Sequence, residues 1–161
     1  MLRVKDIMET QVVTVRPDLS LSDLQDVLLE RRVHGAPVVE GGKVVGIISR
    51  SDVVRQLKVE EERIAASAYL LEPYDADDLT LSAQNQAIEA AAQRLSQLHV
   101  RDMMIRDVAM IGPDAPLEEL ARCMLERRIQ RVLVTEGPSL LGIVSVTDLV
   151  ELFASGRVTA S

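Results

Sequence analysis

Two stretches of nine residues decide the fold: 44–52, Val-Val-Gly-Ile-Ile-Ser-Arg-Ser-Asp, and 140–148, Leu-Leu-Gly-Ile-Val-Ser-Val-Thr-Asp. Each runs from an apolar segment through a glycine to Ser-x-x-Asp. They lie 96 positions apart, and the likeness continues outward without a gap, so that residues 4–57 match residues 100–153. Of these 54 aligned pairs, 20 are identical. The chain therefore contains an internal duplication.

The number of copies restricts how the duplication can fold. Stacked repeat arrays need about three repeats or more to bury a continuous core, and this chain has two. A segment of this length is also close to the size at which an isolated core becomes marginal. We therefore expect the two copies to pack as a closed, pseudo-two-fold pair in which each covers the apolar face of the other.

Each copy predicts the element order β-α-β-β-α. In the first copy, Val12–Val15 is predicted to form a strand that ends before Pro17. Ser20 is predicted to begin a helix, which has apolar residues at helical spacing. Two apolar runs around Gly41-Gly42 then predict a hairpin, and a second helix follows from Asp52 to about Leu57. The second copy repeats this order with a strand at 108–111, a helix opened by Pro116, a hairpin around 137–138 and a helix from 148 to about 153. The predicted fold class is α+β, a small sheet covered by helices.

The segment between the copies is rich in Ala, Gln, Glu and Leu, which favour helix over flexible linker. We predict a first repeat at residues 1–57, a helical linker at 58–99 and a second repeat with its tail at 100–161. An apolar stripe at helical spacing, beginning at about Ser82, predicts a packing face. Its members are Ile88, Ala91, Ala92, Leu95 and Leu98. The acidic stretch 72–78 is interpreted as a solvated turn and not as a metal site.

Composition excludes several classes of function. The net charge of -7 would repel a phosphate backbone, so we expect no nucleic-acid binding. Cys123 is the only cysteine, which rules out an intrachain disulfide and leaves a zinc cage without ligands. Nowhere do about 18 apolar residues follow one another, and no secretion signal is recognisable, so we expect a cytoplasmic protein without membrane contact. With two histidines, no nucleophile–base arrangement and no Walker or Gly-x-Gly-x-x-Gly loop, we expect no catalytic residues and no enzyme.

Order, spacing and duplication together resemble the cystathionine-β-synthase (CBS) domain, here in tandem. The motifs are Val-x-Asp-Ile/Met-Met at 4–8 and 100–104, the strand with Pro-Asp, and the hairpin that closes on Gly-Ile-Ile/Val-Ser-x-x-Asp. The resemblance covers about two thirds of the chain. It implies a Bateman module, a disc-like pair of domains whose clefts hold adenosine nucleotides or related ligands. Such modules regulate an attached or partner protein and often dimerise further.

Ser49-x-x-Asp52 and Ser145-x-x-Asp148 have two interpretations, and the sequence leaves both open. One is a helix N-terminus, where serine caps exposed amides and an acid three positions later favours the positive end of the helix dipole. The other is a ligand site, because amides at a helix start bind phosphate and a carboxylate accepts hydrogen bonds from ribose hydroxyls. In nucleotide-binding members of the family, the matching aspartate holds ribose and the matching Ser or Thr lies near phosphate.

The resemblance also implies that backbone groups around Thr14 and around His34, Gly35, Ala36 and Pro37 read the edge of the adenine. Arg50 follows Ser49 and is placed next to the phosphate. The second copy has bulkier residues at these positions, including Met110 and Leu133, although Thr147 adds a hydroxyl. We therefore prefer the first copy as the ligand site. Arg131 either reaches the phosphates of that site or is a surface arginine, and His34 either contacts phosphate or is only a hydrogen-bonded turn residue.

The function that this sequence predicts is a non-catalytic regulatory module. It requires no cofactor and binds AMP, ADP, ATP or S-adenosylmethionine in the cleft between the tandem repeats. The expected partners are this small molecule, a second copy of the chain in a homodimer, and a regulated protein that the sequence does not name. The alternative is a ligand-free scaffold for dimerisation, in which Ser-x-x-Asp is retained only as a helix cap.

Overall fold

A computed structural model describes residues 1–70 and 79–156. Within its long helices, the side chains of residues 60, 61, 63–70, 79–84 and 87 are outside that description. The elements, after a single 3₁₀ turn at Val4–Asp6, are α1 (Leu21–Glu30), β1 (Gly35–Glu40), β2 (Lys43–Ser49), α2 (Arg50–Leu70), α3 (Leu79–Gln97), α4 (Val100–Met103), β3 (Met110–Ile111), α5 (Leu117–Arg127), β4 (Arg131–Glu136), β5 (Ser139–Ser145) and α6 (Val146–Ala154). The fold is α+β, as predicted.

The described residues group into two compact units that do not coincide with the two repeats. The first unit contains the described parts of Met1–Thr14, Pro37–Ile47 and Ile105–Ser161. The second contains the described parts of Val15–Ala36 and Ile48–Met104. The start of the first repeat thus folds with most of the second repeat. The domain boundaries at residues 57 and 99 stay predictions about the repeats.

The first unit is built on the three-stranded sheet β3-β4-β5. β3 runs parallel to β4, and β4 pairs antiparallel with β5, with Val132 opposite Val144. The N-terminal segment adds to this sheet at one point, where the N–H of Glu9 donates to the carbonyl of Ile143 (2.9 Å) and the N–H of Ile143 donates to that of Glu9 (3.0 Å). Two bonds between a residue pair are characteristic of an antiparallel ladder. The segment is therefore held by backbone pairing as well as by its apolar side chains.

Alternating residues of the sheet and one face of α5 form the core of the first unit. Leu120 and Met124 project from α5 toward the sheet because a spacing of four places them on the same helix face. Val4 is fully buried with them and brings the N-terminal turn into the core. The buried members are Val4, Ala109, Ile111, Leu120, Met124, Val132, Val134 and Val144. Full burial of an aliphatic side chain of this size stabilises a fold by roughly 1.5–3 kcal/mol.

The second unit is helical, and α1 is its central element. The Ser20 hydroxyl accepts a hydrogen bond from the N–H of Asp23 (3.1 Å), which caps α1 at its predicted start. Leu21, Leu24 and Leu28 are buried on one face, and α1 packs against α2 and α3. α1 ends at Glu30, and Arg32, two residues later, has the left-handed conformation (φ 54°). The predicted helix and its cap are both confirmed.

The hairpin β1-β2 has the predicted turn. Gly41 and Gly42 have φ of 58° and 77°, and a two-residue hairpin turn with two positive φ angles matches the twist of its strands. β4 and β5 are joined at the corresponding place, where Gly137 also has a positive φ (57°). Both predicted hairpins are therefore present. None of the helices in residues 1–70 and 79–156 combines the length and apolar character that a membrane crossing requires.

Several predicted elements differ from the structure. Residues 12–15 form no regular strand, and only Val15 makes a bridge, while β3 covers just the last two residues of the strand predicted at 108–111. β-branched residues favour strand only where a neighbouring strand offers a ladder. α2 continues to Leu70 instead of ending near 57, since no Gly or Pro interrupts it.

The helical linker is confirmed over its described residues, where α2 continues and α3 begins at Leu79. The packing face that the apolar stripe predicted is buried only toward the end of α3. Leu95 is buried there and Leu98 is half-buried, whereas Ile88 is 67% exposed and Ala92 is also exposed. The acidic turn predicted at 72–78 lies outside the described residues.

Candidate functional site

Each repeat forms a cluster of polar groups where its hairpin passes into the next helix. The first cluster belongs to the second unit and consists of His34, Gly35, Ala36, Ser49, Arg50 and Asp52. The second cluster belongs to the first unit and consists of Gln130, Arg131, Ser145, Thr147 and Asp148. Each cluster thus lies within one compact unit.

In the first cluster, Asp52 accepts hydrogen bonds from the residue that precedes the helix. Its Oδ2 atom accepts from the backbone N–H of Ser49 (2.8 Å) and from the Ser49 hydroxyl (2.8 Å). Its Oδ1 atom has only a longer contact with Nη1 of Arg55 (3.4 Å), whose side chain is 70% exposed. The Asp52 side chain itself is 7% exposed. Among the residues whose burial is described, Asp52 is the only buried polar or charged one.

The strand ends of the first cluster are held close together. The backbone N–H of Arg50 donates to the carbonyl of His34 (2.9 Å). A Cβ atom added at Gly35 would lie 2.8 Å from the Ile48 carbonyl oxygen and 3.3 Å from Cα of Ser49. Glycine is therefore required at this close approach of two backbones. The result is a short loop whose backbone groups flank the first residues of α2.

The second cluster repeats this geometry. Oδ2 of Asp148 accepts from the N–H of Ser145 (2.6 Å) and from its hydroxyl (2.7 Å), and the N–H of Asp148 donates back to the Ser145 hydroxyl oxygen (3.3 Å). The N–H of Val146 donates to the carbonyl of Gln130 (2.9 Å). Arg131 stands at the position of Gly35 and pairs with Ser145 across the ladder. The capping interpretation of Ser-x-x-Asp is therefore confirmed for α6, which has a complete capping box.

The hydrogen bonds to Ser49 occupy only part of the acceptor capacity of the Asp52 carboxylate. An ionised carboxylate has about four acceptor positions. The cap takes two hydrogen bonds at Oδ2 of Asp52, and the long contact with an exposed arginine is weak at Oδ1. A hydroxyl donor could therefore bind Oδ1 while the helix cap stays intact. The arrangement is able to cap a helix and to bind a ligand at once.

The other residues predicted for the ligand site have different surroundings. His34, Arg50, Arg131 and Thr147 are exposed, whereas Ala36 is 1% exposed and could offer a ligand only its backbone. Thr14 and Pro37 are assigned to the first unit, whereas the residues of the first cluster are assigned to the second. Pro37 is buried, and Thr14 is exposed at the wall of an open depression of about 290 Å³. The role of these residues in binding stays a prediction.

The sequence did not predict this depression, which we call the hairpin pocket. It is lined by Thr10, Val12, Thr14, Val39, Gly42, Ser139, Leu140 and Leu141. A signal for it exists in the sequence, because the two repeats differ at the positions of Thr10 and Thr14, where the second has Arg106 and Met110. Within the described ranges, no three His, Cys, Asp or Glu side chains gather in a way that could hold a metal ion.

Comparison with known proteins agrees with the duplication. The CBS domain family matches residues 4–59 and 100–155. The uncharacterized protein MJ1426 of Methanocaldococcus jannaschii is 34% identical over 152 residues, which are 92% of this chain and 89% of that protein. The uncharacterized protein MJ1225 of the same organism is 26% identical over 155 residues, which are 94% of this chain but only 43% of that protein. The chain thus spans most of one relative and less than half of another.

Solved structures share the fold. The CBS domain of a CBS domain containing membrane protein from Sphaerobacter thermophilus has a TM-score of 0.71 at 26% identity, covering 94% of this chain and 88% of that one. The CBS domain pair of protein MJ0100, in complex with 5'-methylthioadenosine and S-adenosyl-L-methionine, has a TM-score of 0.65 at 22% identity, covering 97% and 98%. With two family matches and this fold, the chain belongs to the CBS domain family and is a tandem pair of CBS domains.

Proposed function

We propose that this tandem CBS pair is a non-catalytic regulatory module that binds an adenosine nucleotide or an adenosyl compound and signals to a partner protein. AMP, ADP, ATP and S-adenosylmethionine are the candidate ligands. The first cluster holds the ligand, with Asp52 accepting from ribose and the backbone at the start of α2 facing phosphate. The observation that carries the proposal is the buried carboxylate of Asp52, whose Oδ1 atom retains acceptor capacity while Oδ2 caps the helix.

The charge around the first cluster fits a ligand that has both hydroxyl and phosphate groups. Arg50 is the first residue of α2, and its exposed guanidinium is a donor for phosphate oxygens. Amides in the first turn of a helix have no partners within the helix and favour anions. In the second repeat, the position of Arg50 is held by Val146, which provides no such donor. This difference favours the first cluster as the occupied one.

Related proteins support the ligand class. Protein MJ0100, whose CBS pair shares this fold, was crystallised with 5'-methylthioadenosine and S-adenosyl-L-methionine. The protein MJ1225 is described as a putative archaeal homolog of g-AMPK. We transfer from these proteins the adenosyl class of ligand and the regulatory role.

Binding to Asp52→Ala tests the proposal, with Asp148→Ala as a matched control. Both substitutions remove two carboxylate hydrogen bonds to the serine that precedes the helix, so both should reduce stability by about 0.5–2 kcal/mol. Only Asp52→Ala should also remove a charged acceptor for ribose, worth roughly 1.5–3 kcal/mol, which weakens binding about ten- to a hundred-fold. Isothermal titration with each candidate ligand measures the difference. Equal weakening in both variants would show that the first cluster is not the preferred site.

Absence of binding would favour the alternative function, a ligand-free scaffold. The capping box of α6 supports this alternative, because capping alone accounts for Ser-x-x-Asp there. A thermal-shift assay distinguishes the two functions. A ligand at 100 times its dissociation constant adds about 2.7 kcal/mol of stability, which corresponds to roughly 5–11 °C in a chain of this size. No shift with any of the four candidate ligands would leave the scaffold as the better description.

We also propose that the module forms a homodimer. α6 supports this proposal because it is apolar on more than one face: Leu152 is buried, while Val146, Val150 and Phe153 are exposed at the spacing i, i+4 and i+7. A two-fold axis would bring two copies of this stripe together and cover it. Sedimentation equilibrium should therefore give twice the chain mass for the wild type and a weaker dimer for Phe153→Asp. A wild-type monomer at micromolar concentration would contradict the proposal.

A further inference from the structure

The longest run of identical residues between the two repeats lies on the surface. Leu29-Glu30-Arg31-Arg32 in the second unit matches Leu125-Glu126-Arg127-Arg128 in the first. We call these two stretches the Leu-Glu-Arg-Arg patches. All eight residues are exposed, and the leucines are exposed to 59% and 79%. Packing against the core therefore does not account for this identity.

Each patch ends its helix with the same backbone geometry. Arg32 and Arg128 have φ of 54° and 53°, which is the left-handed region. Two hydrogen bonds surround each of them in the pattern of a Schellman motif. The N–H donors and carbonyl acceptors are Val33 to Leu28 (3.0 Å) and Arg32 to Leu29 (3.1 Å) in the second unit, and Ile129 to Met124 (3.0 Å) and Arg128 to Leu125 (3.3 Å) in the first. Glycine is the usual residue at the left-handed position, because a side chain disfavours this conformation.

Helix stability accounts for only one residue of each run. Cations are favoured at the end of a helix, which explains Arg31 and Arg127. The same dipole disfavours a glutamate there, an exposed leucine buries little apolar surface, and a left-handed arginine is less stable than glycine. Both repeats thus keep three residues that do not stabilise the helix end. This indicates that the patches act on something outside the fold.

Each patch combines an apolar side chain with a cation. The hydrogen bond from the N–H of Arg32 to the carbonyl of Leu29 holds these two residues next to each other. The guanidinium groups of Arg32 and Arg128 have no hydrogen bond or ion pair among the side chains that the structure describes. Arginine binds a carboxylate through two parallel hydrogen bonds. In a chain with a net charge of -7, these cations are complementary to an acidic partner.

The patches are also connected to the two clusters. Arg32 lies two residues before His34, whose carbonyl accepts from the N–H of Arg50 (2.9 Å). In the first unit, Arg128 lies two residues before Gln130, whose carbonyl accepts from the N–H of Val146 (2.9 Å). The backbone that leaves each patch is thus fixed to the start of the helix at a cluster. A ligand bound at that helix start can alter the patch through this short connection.

We propose that the Leu-Glu-Arg-Arg patches are the surfaces on which the regulated protein docks, and that this partner presents an acidic segment with apolar side chains. The arginine at the left-handed position binds a carboxylate, and the leucine contacts a neighbouring apolar side chain. The proposal rests on the regulatory function proposed above and gives the partner its chemistry. Each unit carries one patch, so the module offers two docking points.

Amide chemical shifts of ¹⁵N-labelled protein test the proposal, with an acetylated hexapeptide of alternating glutamate and leucine as the probe. The peptide should shift the amides of residues 29–33 and 125–129 in a saturable way. The matching lysine–leucine hexapeptide and inorganic phosphate should not. Arg32→Gly with Arg128→Gly should weaken binding about ten-fold or more, the factor expected when each patch loses a charged hydrogen bond.

The melting temperature of the same double variant separates docking from a structural role. Glycine relieves the left-handed conformation, so the variant should melt at the wild-type temperature or above it. Arg101→Ala with Lys43→Ala is the matched control, since it removes one exposed cation from each unit outside the patches. The control should bind the acidic peptide as the wild type does.

The proposal is overturned if the acidic peptide leaves the patch amides unchanged, or if the lysine peptide or phosphate shifts them equally. A lower melting temperature of the glycine variant, or equal weakening in the control, would also overturn it. Patch shifts that grow with protein concentration without peptide would show that a second copy occupies the patches instead. Peptide titration of Asp52→Ala keeps this proposal distinct from nucleotide binding, because the patch response should persist in that variant.

Discussion

Replacing Gly142 by alanine should loosen the N-terminal segment from the sheet of the first unit. A Cβ atom at this position would lie 2.7 Å from the Glu9 carbonyl oxygen and 3.0–3.1 Å from the Met8 side chain. The methionine side chain is flexible, but the Glu9 oxygen is backbone. An ordinary contact begins near 3.4 Å, so the backbone at Glu9 must retreat by about 0.7 Å.

That retreat stretches the two hydrogen bonds between Glu9 and Ile143. They measure 2.9 and 3.0 Å, and lengthening by this amount takes them beyond the range of normal hydrogen bonds. A backbone hydrogen bond contributes about 0.5–1.5 kcal/mol net, so the loss of both predicts about 1–3 kcal/mol. At roughly 2–4 °C per kcal/mol, the melting temperature should fall by about 2–12 °C.

Circular dichroism at 222 nm measures the melting temperature of Gly142→Ala, and hydrogen exchange follows the amides of Glu9 and Ile143. Gly112→Ala is the matched control, since nothing lies within 4 Å of its added methyl group and its φ is not positive. The control should be neutral or slightly stabilising, by up to about 1 kcal/mol. Equal melting temperatures of the two variants, or unchanged exchange at Glu9 and Ile143, would refute this reasoning.

Two further predictions concern the first unit. Leu120→Ala should lower the free energy of unfolding by about 2–5 kcal/mol, because Leu120 is fully buried, whereas Leu125→Ala at a 79% exposed position of the same helix should change it by less than about 0.5 kcal/mol. Urea denaturation compares them, and similar values would contradict the assigned core. The hydrogen bond from Lys5 Nζ to Asp114 Oδ1 (2.7 Å) and the attraction between their charges lower the pKa of Asp114 and raise the pKa of Lys5. Their contribution to stability should be present between the ordinary carboxyl and lysine pKa values, and it should be lost as pH falls through the lowered pKa of Asp114 or rises through the raised pKa of Lys5. Because both groups are exposed, the free energies of unfolding of wild type and Asp114→Asn should differ only slightly. This difference should vanish at both pH extremes and in high salt. A difference that does not depend on pH would contradict the assigned ion pair.

Short-range signals predicted much of the fold correctly. Ser20 and Pro116 precede α1 and α5 as expected, because a helix start depends on the residues of its own first turn. The Gly41-Gly42 turn has the two positive φ angles that such a pair permits. The Ser-x-x-Asp motif caps α6 for the same local reason.

Strand pairing was predicted less well. Val12–Val15 has the composition of a strand but forms no ladder over its length, since β-propensity expresses packing against neighbours and not a property of the segment alone. Ile88 has the spacing of a packing residue and is nevertheless exposed. Periodicity shows which residues share a helix face, but it does not show how far along the helix the neighbouring element extends.

By itself, the sequence determined the duplication, the α+β class, the helix caps and hairpin turns, and the family. All of these depend on residues close together in the chain or on the comparison of one copy with the other. Only the tertiary structure decided that the first 14 residues fold with the second repeat, and that one carboxylate is buried with an acceptor position to spare. The pairing of Glu9 with Ile143 joins residues 134 positions apart. Such contacts depend on how apolar faces and backbone edges fit in three dimensions, and no local pattern encodes that choice.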